Sequence, residues 1–212
     1  MLYLYAIAAD LRDVADLTGI QGEALALVML DGALVVAGEV DASSPVDAAA
    51  LKAQDALVRH LHERAAALLP MRFGATAATP EDARRAVAAA PKLLERLTAV
   101  RGAEQMVVRV LGERRELRTK IPTEGSGARY LEALAEARRP PPELLAIAAA
   151  GRPLQRDVRI EAAEQPGMIG SVYHLIDRGR ADEYRVLIET AAREMDQVRV
   201  RVSGPSPAYA FA

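Results

Sequence analysis

The sequence contains no cysteine and no tryptophan, and only two phenylalanines, six tyrosines and three histidines among 212 residues. The absence of cysteine excludes disulfides, thiolate metal sites and a cysteine nucleophile, and it fits the reducing cytosol. Three histidines leave few ways to build a serine–histidine site or a histidine-rich metal centre. Neither sign of charge dominates: the formal net charge is −2, so there is no global basic field of the kind that nucleic-acid binders carry. Long hydrophobic runs are missing too. The longest apolar stretch, "ALALVMLDGALVVAG", is interrupted by Asp31-Gly32 and reads as a hairpin, not a membrane helix. The opening "MLYLYAIAAD" has no basic stretch and its apolar run ends at Asp10, unlike a signal peptide. The expected location is the cytoplasm, with no membrane association.

Hydrophobic residues nevertheless make up 51% of the chain. Much of this is alanine, so the core must rest on Leu, Val, Ile and Ala. The length permits one large domain or two small ones. A first strand is expected from Leu2 to Ala8 and a short helix from about Asp10 to Leu17. "LALVML", Asp31-Gly32 and "ALVVAG" then form a hairpin, for which a type I′ turn is expected. Two helices open with the same device, Ser44-Pro45-Val46-Asp47 and Thr79-Pro80-Glu81-Asp82: a hydroxyl cap, proline at the first helical position and an acid at the third. In the first, Leu51, Val58, Leu61, Ala65 and Leu68 share one stripe, and Pro70 ends it. A strand "MRFGAT" follows. The second helix is expected from Pro80 to about Val100, closed by Gly102.

The remainder reads as strand (Gln105 to Leu111), charged connection "GERRELRTK", helix from about Gly127 with a Pro140-Pro141-Pro142 break, strands at Arg156 to Ala162 and Met168 to Ile176, helix Arg180 to Met195, and strand Gln197 to Ser203. This is the β-α-β-β-α-β order of a ferredoxin-like fold. The expected fold class is therefore α+β with two domains. Residues 1–103 form an α+β sandwich related to the ferredoxin-like fold, with an added helix; residues 104–203 form the ferredoxin-like domain, and residues 204–212 an extended C-terminal tail.

Few constellations in this chain can carry chemistry. His60 and His62 lie on a helix, where a two-residue spacing points them about 200° apart, so with Glu63 they do not make a metal site. Glu124-Gly125-Ser126-Gly127-Ala128-Arg129 lacks the Gly-Lys-Ser/Thr ending of a phosphate loop and reads as a helix cap. Ser171 and His174 fall on opposite faces of one strand, which leaves His174 with Val172 and Ile176 as a sheet-face or core residue. No enzyme, cofactor or metal is expected. Arg109, Arg159, Arg199 and Arg201 on the strands of the second half suggest an alternative, an RNA-binding module with a basic ferredoxin-like sheet. That mode needs aromatic platforms, and the central strands offer only Tyr173.

Five segments in order, "LYLYAIA", "LLPMRFGAT", "SGARYLEALAEAR", "VYHLIDR" and the terminal "SGPSPAYAF", resemble the gas vesicle protein GvpF/GvpL family. The Pro-x-Arg-Phe-Gly segment and the Ser-Gly-Pro-x-Pro-x-Tyr-x-Phe tail are the most specific. The resemblance implies an accessory or minor structural protein of the gas vesicle in the cytoplasm, active in vesicle assembly and in contact with the hydrophobic shell subunit GvpA and other vesicle proteins, without nucleic acid, catalysis or cofactor. It marks Arg72, Phe73, Gly74, Gly204, Pro205, Pro207, Tyr209 and Phe211 as signature residues, either partner-binding or structural. On the structural view Phe73 is core, Arg72 holds a carboxylate and the tail packs on its own domain. The chain departs from the family tail by placing Ser206 and Ala208 where Trp and Pro are usual, and Met106 stands where an aromatic is usual. In an extended tail after a sharp turn at Gly204, Tyr209 and Phe211 would face the same side.

Overall fold

The computed structural model describes residues 1–41, 47–112, 139–163, 165–195 and 198–212. Asp31-Gly32 joins β2 (Leu25–Leu30) to β3 (Ala33–Glu39) in an antiparallel register running from Leu30↔Ala33 to Leu25↔Gly38. Gly32 has φ +75°, whereas Asp31 is not among the residues with positive φ. The turn is therefore not type I′, which needs positive φ at both central residues; it has the pattern of type II, which needs it only at the second.

β3 pairs with β1 (Leu2–Ala9), which pairs in turn with β4 (Ala67–Pro70), giving the strand order β2-β3-β1-β4. The two-residue β5 (Thr76–Ala77) also pairs with β1. All these pairings are antiparallel. The central β1 is buried along nearly its whole length, as expected for a strand with a neighbour on either side and apolar layers over both faces.

Helix α1 (Ala48–Arg64) packs on this sheet. Its cap is Asp47, whose carboxylate accepts from the Ala50 N–H at 2.8 Å. Ser44 and Pro45, the expected start, lie outside the described residues. Leu57, Val58 and Leu61 join Tyr3, Tyr5, Val36 and Leu68 in one core. Leu51, expected on the stripe, is 46% exposed. The helix stops at Arg64, so Leu68 reaches the core from β4 and not from α1. The strand expected over "MRFGAT" is displaced accordingly: residues 71–75 form a turn closed by Ala75 N–H on the Arg72 carbonyl at 3.0 Å.

Two other expectations fail for identifiable reasons. No helix forms over Asp10 to Leu17. Asp13 Oδ1 accepts from the Ala15 N–H at 2.9 Å, a local side-chain bond that offers the backbone a turn instead of a helix. The helix expected from Pro80 to Val100 is two helices, α2 (Pro80–Ala88) and α3 (Leu93–Ala99). Pro91 has no N–H to donate and its ring clashes with a carbonyl one turn earlier; Lys92 beside it takes φ +57°. The Thr79 cap forms as expected, accepting from the Asp82 N–H at 3.1 Å.

The second sheet is built from β6 (Ala103–Leu111), β7 (Gln155–Ala162), β8 (Met168–Asp177) and β9 (Arg199–Ser206) in the order β7-β8-β6-β9. Numbered within their own halves, both sheets run second, third, first, fourth. Helices α4 (Pro142–Ala150) and α5 (Ala181–Arg193) supply Leu144, Ile147, Tyr184 and Ile188 to a core with Met106, Val108, Val172 and Ile176. The charged connection from Glu113, the expected helix start at Gly127 and the Glu124–Arg129 loop lie outside the described residues. β9 does not turn sharply at Gly204, which has φ +116°, but continues to Ser206. The chain divides into two compact units, Met1–Gln105 with Pro205–Ala212, and Met106–Gly204.

Candidate functional site

The signature residues of the first unit sit on a polar network that starts in β1. Alternation along the strand places Tyr3 and Tyr5 on one face; both are fully buried, with ring centroids 4.9 Å apart. Tyr3 Oη donates to Gln54 Oε1 of α1 at 2.6 Å and accepts from the Gly74 N–H at 2.8 Å. Gln54 Nε2 donates to the Met71 carbonyl at 3.2 Å. One tyrosine and one glutamine thus hold both ends of the 71–75 turn. Gly74 occupies φ +80°, a region in which a side chain would be strained. The Phe73 ring meets Tyr3 edge-on at 6.2 Å and is half-buried. Arg72 is exposed, and among the described residues its guanidinium makes no ion pair, so the carboxylate expected for it is not found. Burial raises the Tyr3 pKa. Tyr5 is raised further, first by burial and then by its hydrogen bond to Glu23.

The C-terminal residues rest on the same helix, one residue further on. Tyr209 Oη donates to Asp55 Oδ1 at 2.8 Å, and Asp55 Oδ2 pairs with Arg59 Nε at 2.7 Å. Arg59 Nη1 donates to the Pro205 carbonyl at 3.1 Å. Gln105, itself buried, accepts the Ala210 N–H on Oε1 at 2.7 Å and the Ser206 hydroxyl on its carbonyl at 3.3 Å. Residues Tyr209–Phe211 form a 3-10 turn that packs against β4. The tail is therefore extended only to Ser206, and the turn separates its two aromatics: Phe211 is 4% exposed and Tyr209 38%. Pro207 is buried and its carbonyl accepts the Tyr209 N–H at 2.8 Å. Burial and the Asp55 carboxylate push the Tyr209 pKa up. Gly204 lies in the second unit, where its carbonyl accepts from Arg185 Nη2 at 2.5 Å.

The remaining candidates lie on helix α1 and on the second sheet. His62 is buried and His60 exposed, as their angular separation requires, and among the described residues no three His, Cys, Asp or Glu side chains could hold a metal. His174 is fully buried. Its Nε2 lies 3.4 Å from the Ala148 carbonyl, which can only accept, so Nδ1 accepts the Tyr184 hydroxyl at 2.6 Å. Desolvation lowers the His174 pKa, leaving a neutral core residue. Ser171 lines a shallow depression with Arg109, Glu161 and Tyr173, without His174. Tyr173 Oη donates to Glu161 Oε2 at 2.8 Å. The exposed arginines of these strands, Arg109, Arg159, Arg199 and Arg201, thus share their sheet with acids and this one engaged aromatic. Among the described residues no helix is long and apolar enough to cross a membrane.

Sequence reasoning missed Gln54, Asp55, Arg59 and Gln105. Asp55 and Arg59 do carry a signal, the four-residue spacing of a helical ion pair. Nothing in the sequence connects them to a tail some 150 positions away.

The model of the family described as gas vesicle synthesis protein GvpL/GvpF matches residues 1–212. The crystal structure of gas vesicle protein GvpF from Anabaena sp. PCC7120 superposes with TM-score 0.75 at 19% identity, over 100% of this chain and 95% of that one. GvpF from Microcystis aeruginosa gives TM-score 0.76 at 18% identity, over 99% and 98%. No curated protein matches the chain in sequence.

Proposed function

The chain belongs to the gas vesicle synthesis protein GvpL/GvpF family, and from that premise we propose that it acts in gas vesicle formation as a non-enzymatic assembly factor or minor structural protein that contacts the hydrophobic shell subunit GvpA. The observation that carries this reading is the family match along the full chain; the likeness in fold to two GvpF proteins supports it. The physical task is to shield or orient an apolar, aggregation-prone subunit until it is incorporated, in the cytoplasm and at the growing vesicle. The second unit acts as a ferredoxin-like domain, a reading its strand order supports. Within the first unit, the 71–75 turn and the tail fix the α1 side of the sheet, and exposed Arg72, Pro205 and Tyr209 are the signature side chains available to a partner.

Co-expression of the tagged chain with GvpA and the other vesicle proteins tests the proposal. Retention of GvpA through stringent purification is expected. Failure to retain any vesicle component, with equal expression of all of them, would overturn it.

A further inference from the structure

Alternation sorts the side chains of the second sheet. Val108 and Val110 of β6 and Val200 and Val202 of β9 turn to the core, so Arg109, Arg199 and Arg201 project from the other face. All three are exposed. Val158, Ile160 and Val172 also turn to the core, which puts Asp157, Arg159 and Glu161 of β7 and Ser171 and Tyr173 of β8 on the face of the arginines.

Two hydroxyls fix how β6 and β9 align. Ser206 Oγ donates to the Gln105 carbonyl at 3.3 Å and Ser203 Oγ to the Val107 carbonyl at 3.5 Å, so the strands run antiparallel with Ser203 beside Val107. Two residues further along each strand, Arg201 stands beside Arg109, and Arg199 follows beside Leu111. Like charges directly opposite one another destabilise a sheet. Among the described residues none of the three arginines makes an ion pair or hydrogen bond through its side chain. The acids of this face lie elsewhere: Asp157 and Glu161 flank Arg159 on β7, and Glu161 is engaged by the Tyr173 hydroxyl at 2.8 Å. In the order β7-β8-β6-β9, a strand spacing of about 4.8 Å puts β7 about 10 Å from β6 and about 14 Å from β9. Exposed charges are screened over about 8 Å at physiological salt, so the acids do not compensate the arginines.

We propose that the β6–β9 half of this face binds an extended acidic segment of another protein, with carboxylates at alternate positions. Alternate residues of an extended chain repeat every ~6.5–7 Å, the spacing of Arg199 and Arg201 themselves, so a Glu-x-Glu stretch meets the two in step. One carboxylate bridges Arg201 and Arg109 and relieves their repulsion; the next pairs with Arg199 through charge-assisted bonds. A bilayer surface or a long nucleic acid would also press phosphates on Asp157 and Glu161. Single-stranded RNA needs stacking platforms as well, and this face offers the half-buried, hydrogen-bonded Tyr173. A short acidic segment avoids both costs. The inference rests on this sheet alone and goes beyond the family reading, since contact with GvpA does not enter it.

The probe is the peptide acetyl-Ser-Glu-Val-Glu-Ser-Glu-Gly-amide, titrated into the full chain while the backbone amide and arginine Nε resonances are followed. Shifts centred on Arg109, Arg199 and Arg201 are expected, and the same peptide with glutamine in place of glutamate gives none. Arg109→Gln or Arg201→Gln weakens binding by about tenfold. Arg152→Gln, an equal change in net charge at an exposed position just past α4, leaves it unchanged. Without peptide, Arg109→Gln and Arg201→Gln preserve or raise Tm at low salt, because each relieves a like-charge pair. A lowered Tm in both would show that the arginines already have partners within the chain and would overturn the proposal. So would the absence of shifts at these residues, or tighter arginine-dependent binding of oligouridine or of phosphatidylserine vesicles. A dimer in sedimentation equilibrium that Arg109→Gln dissolves would overturn it too, because the face would then belong to a second copy.

Discussion

Replacing Phe211 with alanine removes the deepest aromatic of the C-terminal turn, a side chain only 4% exposed. Area transfer values the burial of such a side chain at about 1.5–3 kcal/mol, and a cavity in a rigid core raises Phe→Ala to about 3–5 kcal/mol. Here the side chain sits on a 3-10 turn at the chain end, which can close over the gap, so about 2–3 kcal/mol applies. The competing contribution is polar. Tyr209→Phe deletes the hydroxyl–Asp55 bond, but Tyr209 is 38% exposed and the Asp55 side chain 44%. Water replaces that bond, and its loss costs no more than about 1 kcal/mol. The apolar anchor therefore outweighs the hydrogen bond. At about 2–4 °C per kcal/mol for a chain of this length, Phe211→Ala lowers Tm by about 4–12 °C and Tyr209→Phe by at most about 4 °C. Calorimetry at pH 7 on the two variants reads the ratio directly. A Phe211→Ala melt indistinguishable from the unmodified chain, or a larger loss for Tyr209→Phe, would refute the reasoning.

Tyr3→Phe is expected to cost about 1–3 kcal/mol in chemical denaturation, because the Gln54 amide oxygen then loses a donor in a buried bond that water does not reach, while exposed Gly74 can turn its N–H to water. Gly151→Ala sets a methyl carbon 2.4 Å from Nε2 of the fully buried His174 and should cost about 1–3 kcal/mol by overpacking, seen as a lowered denaturation midpoint. The chain should also lose stability in acid through His174. Its folded pKa is depressed, so below about pH 6.5 the unfolded state binds a proton that the folded state refuses. Stability falls by up to about 1.4 kcal/mol per pH unit from there down to the folded pKa, and above about pH 6.5 this contribution vanishes. Denaturation midpoints between pH 7.5 and 5 measure this, and His174→Gln should flatten the profile.

Local chemistry explains which parts of the fold were legible. Asp31-Gly32 marked a hairpin because few other sequences tolerate so tight a reversal, although the pair did not specify the turn type. Thr79-Pro80 marked a helix start because hydroxyl, ring and acid each solve a problem of the free N–H groups there. The break at Pro91 was equally local, but the alanines before it and Lys92, Leu93 and Leu94 after it are such good helix formers that the proline was read through. Leu68 shows a different limit: a leucine on a helical stripe also fits a buried strand, and only the sheet shows which holds. The tail illustrates the third case. Its aromatics announced burial, yet the 3-10 turn that separates Tyr209 from Phe211 and the bonds to Asp55, Arg59 and Gln105 are long-range facts, absent from any window of sequence.

The central claim is that this member of the GvpL/GvpF family serves gas vesicle formation. Deleting its gene in the vesicle-forming host, then counting vesicles by electron microscopy with and without the full-length chain restored, tests it most directly. The account predicts few or malformed vesicles after deletion and recovery when the chain is restored. Vesicles of normal number and shape in the deletion strain would contradict it.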